Sequence, residues 1–554
     1  MLNNVFRGVL PNLGYLIILL ILTLPIIAPF FHSGFFPSHD GEWAVVRLGD
    51  MFREVRDLQI PARYSGVLNL EYGYPLFNFA YPGPYYMGLI FYILGFGLVG
   101  SIKLLFALSV LISGVFMYVL SREIWQDKLA SLLAAVSYIY FPYRFVDLFV
   151  RGSIGESISF AIFPLVVLSV IKIYRNPISS SFMLLGGLTF GLLIVTHNIM
   201  AVLFSLFLLF LSGFLVWQKK EILKPLALLF SLGFLLSAFF WIPALLEKKY
   251  ILLSIVPIAD RNQFFVSLKQ FIFPSWGYGV PTDTVHGFTY QLGFPFLIIL
   301  ASGAFYVLKE FFDKKNMGNF NFKLVFMFFI LDLFFIFFLF KSSAIFWKLP
   351  LLSEINFPWT MLPIIVFISS LIIGFLSTIR FFKFLTLTLI TLAVIYFLPY
   401  AKPQYYVDRG DNFYLTNQAT TTSSLELMPI WVKTFPAQAP KEKIEALKGK
   451  GKLSDLRLTS KNINFNFVAE DQSTIRINRI YYPGWKIIDN GEEKEINYDN
   501  KFGVMDIILT QGTHKITAKF SETPIRLVSN LISVFTLIIF LSYSLKLFRL
   551  RVSR

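Results

Sequence analysis

The chain reads as long apolar runs separated by short polar or basic links. Runs fall near residues 14–31, 102–120, 129–143, 154–173, 182–196, 199–217, 226–246, 291–308, 323–340, 359–377, 382–400 and 525–546. Each approaches the roughly 20 residues that a helix needs to cross a bilayer. The pattern therefore predicts a polytopic α-helical membrane protein with about 12 transmembrane helices. The apolar stretch 182–217 would extend about 54 Å as one helix, too far for a single crossing, so it must turn. Thr196-His197-Asn198 is the polar place for that turn. The first run follows Arg7 and lacks a small-x-small cleavage site, which predicts an uncleaved span with a cytoplasmic N-terminus.

The pattern changes after residue 400. Short alternating runs at 463–468, 474–480 and 514–520, punctuated by Pro-Gly, Asp-Asn-Gly and Gln-Gly, predict antiparallel strands and turns. Three parts follow: a helical domain over 1–400, a β-rich domain over 401–524, and a last helix with a basic tail over 525–554.

One further apolar stretch, 84–97, decides the orientation. If it does not cross, 18 basic residues, Arg7 and Arg554 among them, fall on the cytoplasmic side, against 8 in the opposite short loops. That bias matches the positive-inside rule. The stretch is then a juxtamembrane or re-entrant helix inside a long first external loop, 32–101, bracketed by Pro82, Pro84 and glycines. That loop, the loop 247–290 and the β-domain gather on the extracytoplasmic face of a multi-pass cytoplasmic-membrane protein. Both termini are cytoplasmic, and the basic tail anchors to anionic lipid.

Composition agrees and excludes. The chain is 56% hydrophobic, 18% aromatic and only 15% charged, where a soluble domain carries about 25% charged residues. The net charge of +16 is accounted for by orientation signal, and no basic run with interleaved aromatics points to nucleic acid. With no cysteine, disulfides, thiolate metal sites and a cysteine nucleophile are excluded. Gly-x-Ser-x-Gly, a phosphate-binding glycine loop and a dinucleotide fingerprint are all missing.

The remaining charges carry the candidate chemistry. Ser38-His39-Asp40-Gly41-Glu42 lies just after the first run and brings two carboxylates and an imidazole to the outer surface. A carboxylate there suits a general base for an acceptor hydroxyl while a donor's lipid tail stays in the bilayer. The plainer reading is a capping Asp40 that opens a helix through Glu42, Arg47 and Asp50. The aromatic run 74–84, with Tyr81, suits an interfacial groove or simple surface anchoring. A second cluster follows the third run, where Asp147 and Arg151 stand four apart and Glu156 comes next. Arg151 is aimed at a phosphate or diphosphate, held by Asp147 or Glu156, or else the cluster is an ion pair at a helix end. His197 and Asn198 fall at the same level and either touch a donor phosphate or form a polar turn. Asp332 is an isolated intramembrane acid of second rank, equally explained as a protonated group bonded to a neighbouring helix. The histidines at 32, 39, 197, 286 and 514 lack metal-ligand spacing. No cofactor is expected, and a divalent cation beside Asp40 is not favoured.

His39-Asp40, Gly73-Tyr74-Pro75-Leu76-Phe77, Val150-Arg151-Gly152 with Glu156, Thr196-His197-Asn198, Phe357-Pro358-Trp359 and Tyr482-Pro483-Gly484-Trp485 resemble, in order and spacing, a group of bacterial membrane proteins. That group is labelled a 6-pyruvoyl-tetrahydropterin-synthase-related membrane domain, is similar to YfhO-like proteins, and belongs with the GT-C glycosyltransferases. The resemblance covers nearly the whole chain. It implies an integral-membrane, inverting glycosyltransferase that takes a sugar from a polyprenyl-phosphate donor, with Asp40 as base. It further implies Arg151, Glu156 and His197 as donor-site partners, and with them the residue reading takes His39, Glu42, Tyr81, Asp147 and Asn198 as substrate-binding residues. The implied acceptor is an extracytoplasmic glycan, lipid or protein of the cell envelope. Two positions depart from the pattern: Thr360 stands where the group has arginine, and the first-loop motif is His-Asp rather than paired acids. The competing classes are a non-catalytic scaffold or lipid- or glycan-binding protein on the same fold, and a secondary transporter with its polar residues at mid-membrane. Tyr482 and Trp485 either bind a carbohydrate acceptor or pack the core of the β-domain.

Overall fold

The computed structural model describes residues 13–280, 282, 286–314, 316–350 and 352–552, the last five by backbone alone. Arg7 and Arg554, and the side chains of Arg549 and Arg551, which carried part of the orientation argument, lie outside that description.

Every apolar run falls on helix. The helices are α1 (Leu13–Ile27), α2 (Gly41–Arg56), α3 (Gly83–Phe91), α4 (Gly97–Trp125), α5 (Lys128–Tyr140), α6 (Ile154–Arg175), α7 (Ser180–Thr196) and α8 (Asn198–Gln218). They continue with α9 (Leu223–Leu236), α10 (Ala238–Leu246), α11 (Phe294–Phe312), α12 (Phe320–Phe337), α13 (Leu362–Leu376), α14 (Arg380–Phe397) and α15 (Pro524–Val552). Among the described residues 9 helices are long and apolar enough to cross a membrane, or up to 11 if each of two bent pairs is one span. The expected 12 is not reached on that measure, because α7, at 17 residues, is short. The chain is a multi-pass membrane protein with a C-terminal β-sheet region.

The breaks have local causes. Pro142 follows an extended Phe141, removes a helix donor and bends α5 against the segment Pro142–Arg151 by 48°. The predicted turn after α7 is present: His197 is extended, with φ −162° and ψ 117°, between α7 and α8. The stretch 84–97 forms α3 and a π-helical turn, Tyr92–Phe96, that is broken at Gly95 and runs into α4. Ile90, Ile93, Leu94 and Phe96 stay exposed on it, and Gly83–Trp125 together is apolar enough to be one span.

Two spans, Ile154–Arg175 and Pro358–Leu376, are enclosed by the others, while Leu13–Phe31, Phe294–Phe312, Arg380–Tyr400 and Pro524–Leu547 keep most of their apolar surface outside. Phenylalanine fills the centre. Phe163 of α6 stacks on Phe204 of α8 at 3.8 Å, and Phe367 of α13 stands 5.3 Å from Phe204. Helices α7 and α9 approach through glycine: a Cβ on Gly191 would lie 2.9 Å from the Gly233 carbonyl oxygen. Backbones approach this closely only where side chains are absent. Asp332 of α12 is buried and accepts from the Ser369 hydroxyl of α13 at 3.1 Å, the neighbour-bonded arrangement foreseen for it.

The strands are β1 (Ile444–Lys448), β2 (Gly451–Leu458), β3 (Asn462–Ala469), β4 (Ser473–Ile480), β5 (Trp485–Asp489), β6 (Glu492–Lys494), β7 (Val504–Leu509) and β8 (Gly512–Phe520). They form two antiparallel sheets, ordered β1-β4-β7 and β2-β3-β8-β5-β6. The region 401–443 carries no strand. It is a strap that lies along the first loop and the bundle end. Phe35 and Val407 exchange backbone hydrogen bonds at 3.0 and 2.7 Å, and Asp411 accepts from the Leu98 N–H at 2.7 Å, satisfying an orphan donor at the start of α4.

The sheets are locked to the first loop. The Tyr64 hydroxyl donates to the Ile480 carbonyl at 2.7 Å, and the Ile480 N–H donates to the Tyr72 carbonyl at 2.8 Å. Glu247, 1% exposed at the end of α10, is the common partner of four residues. It receives Arg526 of α15 on one oxygen at 2.8 and 2.9 Å, Thr523 at 2.8 Å, Asn78 of the first loop at 2.9 Å and Tyr482 at 3.3 Å. Tyr482 and Trp485 are both buried, which fits the core reading of the Pro-Gly turn rather than an open carbohydrate platform.

Candidate functional site

Two segments more than a hundred residues apart meet at the end of the bundle that carries the sheets. The His39 N–H donates to the Val150 carbonyl at 3.0 Å, and the Asp40 N–H to the Arg151 carbonyl at 2.7 Å. Glycine permits this docking: Gly152 has φ +63°, and a Cβ there would meet the Ser38 hydroxyl oxygen at 2.4 Å and Gly41 Cα at 2.9 Å. The first-loop acid thus lies directly against the arginine cluster that ends the bent span.

Asp40 occupies the N-cap position of α2, but its side chain makes no capping hydrogen bond. Among the described residues its half-buried carboxylate has neither an ion pair nor a hydrogen-bond donor. The other acids of the cluster are all engaged. Glu42 accepts from Arg409 of the strap at 2.8 Å. Glu156 pairs with Arg151 and accepts from the Tyr143 hydroxyl at 2.6 Å. Asp147 pairs with Arg144 at 2.8 Å and accepts from Ser157 at 2.6 Å.

That last pairing corrects the expectation of Asp147 as a substrate-binding residue and as one alternative holder of Arg151. The segment Val146–Arg151 is a π-helical turn. Asp147 and Arg151 nevertheless have separate partners, Arg144 and Glu156. Asp147 is fully buried on Arg144, and Arg151 turns to Glu156.

Arg151 is held from several sides and remains 8% exposed. One Nη donates to Tyr143 at 3.0 Å and to Glu156, and its guanidinium lies 4.5 Å over the ring of Trp359. Its other N–H groups have no acceptor among the described residues. Thr360, at the position where the resembled group has arginine, is buried and donates to the Phe357 carbonyl at 2.6 Å. The Phe-Pro-Trp segment therefore reaches the site through Trp359.

His197 caps α8, with Nδ1 accepting from the Met200 N–H at 3.3 Å, and its ring stacks on Tyr81 at 4.8 Å. Burial pulls its pKa down to about 4, against the opposing pull of Glu156. Tyr81 lies within electrostatic reach of Tyr85, Arg47, Asp40 and Arg151, and burial raises its hydroxyl pKa. Asn198 is exposed and ties its amide to the Phe79 carbonyl at 3.0 Å, so it fixes the first loop rather than facing the site. His39 meets the Tyr278 carbonyl of the 247–290 loop at 3.2 Å, and burial lowers its pKa.

These positions do not form a cation cage. His39 and Glu42 are committed to Tyr278 and Arg409, and among the described residues no three His, Cys, Asp or Glu side chains are grouped as metal ligands. The site thus brings together Asp40, Tyr81, Arg151, Glu156 and His197. Sequence reasoning did not assign roles to Tyr143, Trp359 or Arg47. Arg47, seven residues after Asp40 on the same helix, was the one with a readable signal.

No family model matches the chain. An uncharacterized protein of Lactococcus lactis subsp. cremoris (strain MG1363) is 24% identical over 251 residues, 43% of this chain and 40% of that protein, so the chain spans well under half the length of this relative. The oligosaccharyltransferase of Archaeoglobus fulgidus in its apo form is similar at a TM-score of 0.44, with 13% identity over 76% of this chain and 61% of that one. The archaeal oligosaccharyltransferase AglB of the same organism, in complex with an inhibitory peptide and a dolichol-phosphate, gives 0.44 with 14% identity over 77% and 61%. ArnT from Cupriavidus metallidurans bound to undecaprenyl phosphate gives 0.36 with 14% identity over 68% and 61%.

Proposed function

We propose that the chain is an inverting membrane glycosyltransferase that moves a sugar from a polyprenyl-phosphate donor to a hydroxyl of an extracytoplasmic glycan, lipid or protein. The observation that carries the reading is the state of the four acids: Asp40 alone keeps an unpaired, half-buried carboxylate, while Glu42, Asp147 and Glu156 are bound to arginines. A general base needs that freedom, within reach of the proton it takes. The donor class comes from the resemblance and from the placing of the site at the end of apolar helices, where a lipid tail stays in the bilayer.

The chemistry asks little of the protein. The acceptor oxygen attacks the anomeric carbon, its proton passes to Asp40, and the bond from that carbon to the phosphate oxygen breaks. The released lipid phosphate gains negative charge, and its oxygens accept hydrogen bonds from the unpaired N–H groups of Arg151. Glu156 and Trp359 hold the guanidinium in place for this, and Tyr81 stacks on His197 beside it. The transfer needs no metal in this reading. The test is transfer from a synthetic short-chain polyprenyl-phosphate sugar by the purified chain. Wild type is expected to form product and Asp40→Asn to fall by about 10²–10⁴-fold; equal rates would remove the assignment.

A further inference from the structure

Three buried arginines at the sheet-bearing end are paired with carboxylates, Arg144 with Asp147, Arg151 with Glu156 and Arg526 with Glu247, and a fourth, Arg479, donates to the Gly66 carbonyl within electrostatic reach of Glu54, Glu71 and Asp50. Arg47 differs. Its Nε donates to the Thr421 hydroxyl at 3.0 Å, one Nη to the Tyr85 hydroxyl at 3.3 Å and the other to the Thr421 carbonyl. The groups that act on its charge are Tyr85, Tyr81 and Tyr74, and no Asp or Glu pairs with it among the described residues. Tyrosine is neutral near pH 7, so it supplies dipoles and no counter-charge. A guanidinium has five N–H bonds; three are used, and one on each Nη remains.

A half-buried cation without a counter-ion, with donors to spare, is incomplete until an oxyanion arrives. Arg47 is also placed for the reaction. It stands on α2 seven residues after Asp40, the N-cap of that helix, about two turns or roughly 10 Å further along the axis. Tyr81 links them: its ring is parallel to Tyr85 at 6.3 Å and to His197 at 4.8 Å, and it lies within reach of Arg47, Asp40 and Arg151 together.

We propose that Arg47, with Tyr81 and Tyr85, binds a second anionic oxygen group, a phosphate or a carboxylate, separate from the phosphate received by Arg151. The inference rests on the glycosyltransferase reading in taking Arg151 as the partner of the first anion. It means that the substrates together carry two anionic centres. The second is either the outer phosphate of a diphosphate-linked donor or an acidic group on the acceptor.

Binding to the full chain in neutral phosphatidylcholine nanodiscs separates these. The probes are farnesyl monophosphate, farnesyl diphosphate, and glucuronate added to monophosphate-saturated protein, each tested on wild type, Arg47→Gln and Arg151→Gln. Arg47→Gln is expected to leave monophosphate binding intact, which also certifies its fold, and to weaken one of the other two probes about tenfold or more. Loss for the diphosphate places the second anion on the donor; loss for glucuronate places it on the acceptor. If wild type binds neither more tightly than Arg47→Gln does, the proposal is overturned. Should Arg47→Gln fail to purify as a single species, Arg47→Lys, which keeps the charge without the fork, is expected to weaken the same probe, and unchanged binding overturns the proposal equally. Failure of Arg151→Gln to weaken the monophosphate instead contradicts the glycosyltransferase reading, a result distinct from any at Arg47.

Discussion

Asp40 owes its place in this account to what its neighbours already do. Arg409, Arg144 and Arg151 hold Glu42, Asp147 and Glu156, so of these four acids Asp40 is the one left unspent. His197 has a different part. Its cap needs the Nδ1 lone pair for the Met200 N–H, and protonation would remove that acceptor. With a pKa of about 4 in the fold against 6.5 unfolded, the unfolded chain binds the extra proton first. Stability is therefore complete above pH 6.5 and falls as pH drops toward 4, by about 3 kcal/mol in all. His197→Asn, which keeps a capping oxygen but does not titrate, is expected to lose this acid-side fall; thermal unfolding in detergent at pH 7.5, 5.5 and 4.5 measures it. An unchanged pH slope would show that His197 is not the titrating group. At this scale Asp40, Arg151, Glu156 and His197 were legible because each is a polar residue at the end of an apolar run. Arg47 was legible only as a member of the helix that Asp40 opens; its bonds to Thr421, like the contact of Trp359 with Arg151, join distant segments that no local spacing encodes.

The elements make the site by failing to be regular. Pro142 bends one span, a π-helical turn carries Asp147 and Arg151 to separate partners, and Gly152 lets the first loop dock on the result. Helices and strands were readable from periods of hydrophobicity, but the π turn was not, since its pitch follows from the tertiary fit of buried Arg144 and Arg151 to two different acids. The strap 401–443, read as part of the β-domain, carries no strand of its own and bonds in both directions: to the first loop and α4, and to the β-domain, where the Thr434 N–H donates to the Lys501 carbonyl at 2.9 Å. Glu247 shows how the elements are held. Glu247→Gln leaves the Arg526 guanidinium buried without its counter-charge, and removing one partner of such a pair costs about 3–5 kcal/mol. The expected outcome is a clearly lower unfolding midpoint for Glu247→Gln, partly restored in Glu247→Leu/Arg526→Met. A double variant no better than the single would show that Glu247 acts through Asn78, Thr523 and Tyr482 rather than through Arg526.

For the whole molecule the account requires the sheets, the first loop and Asp40 to lie outside the cell. The cysteine-free sequence makes that directly testable. Glu492→Cys, exposed in β6, is expected to react with a membrane-impermeant maleimide on intact cells, and Gln126→Cys, exposed between α4 and α5, only after permeabilisation. The reverse pattern would invert the protein and place the site in the cytoplasm. The central claim is that Asp40 takes a proton and does not merely bind. The measurement that bears on it most directly separates single-turnover transfer from donor affinity in Asp40→Asn, using a short-chain polyprenyl-phosphate sugar. The account predicts donor affinity within about threefold of wild type and a transfer rate lower by about a hundredfold or more. A rate that falls only in proportion to donor affinity would contradict it.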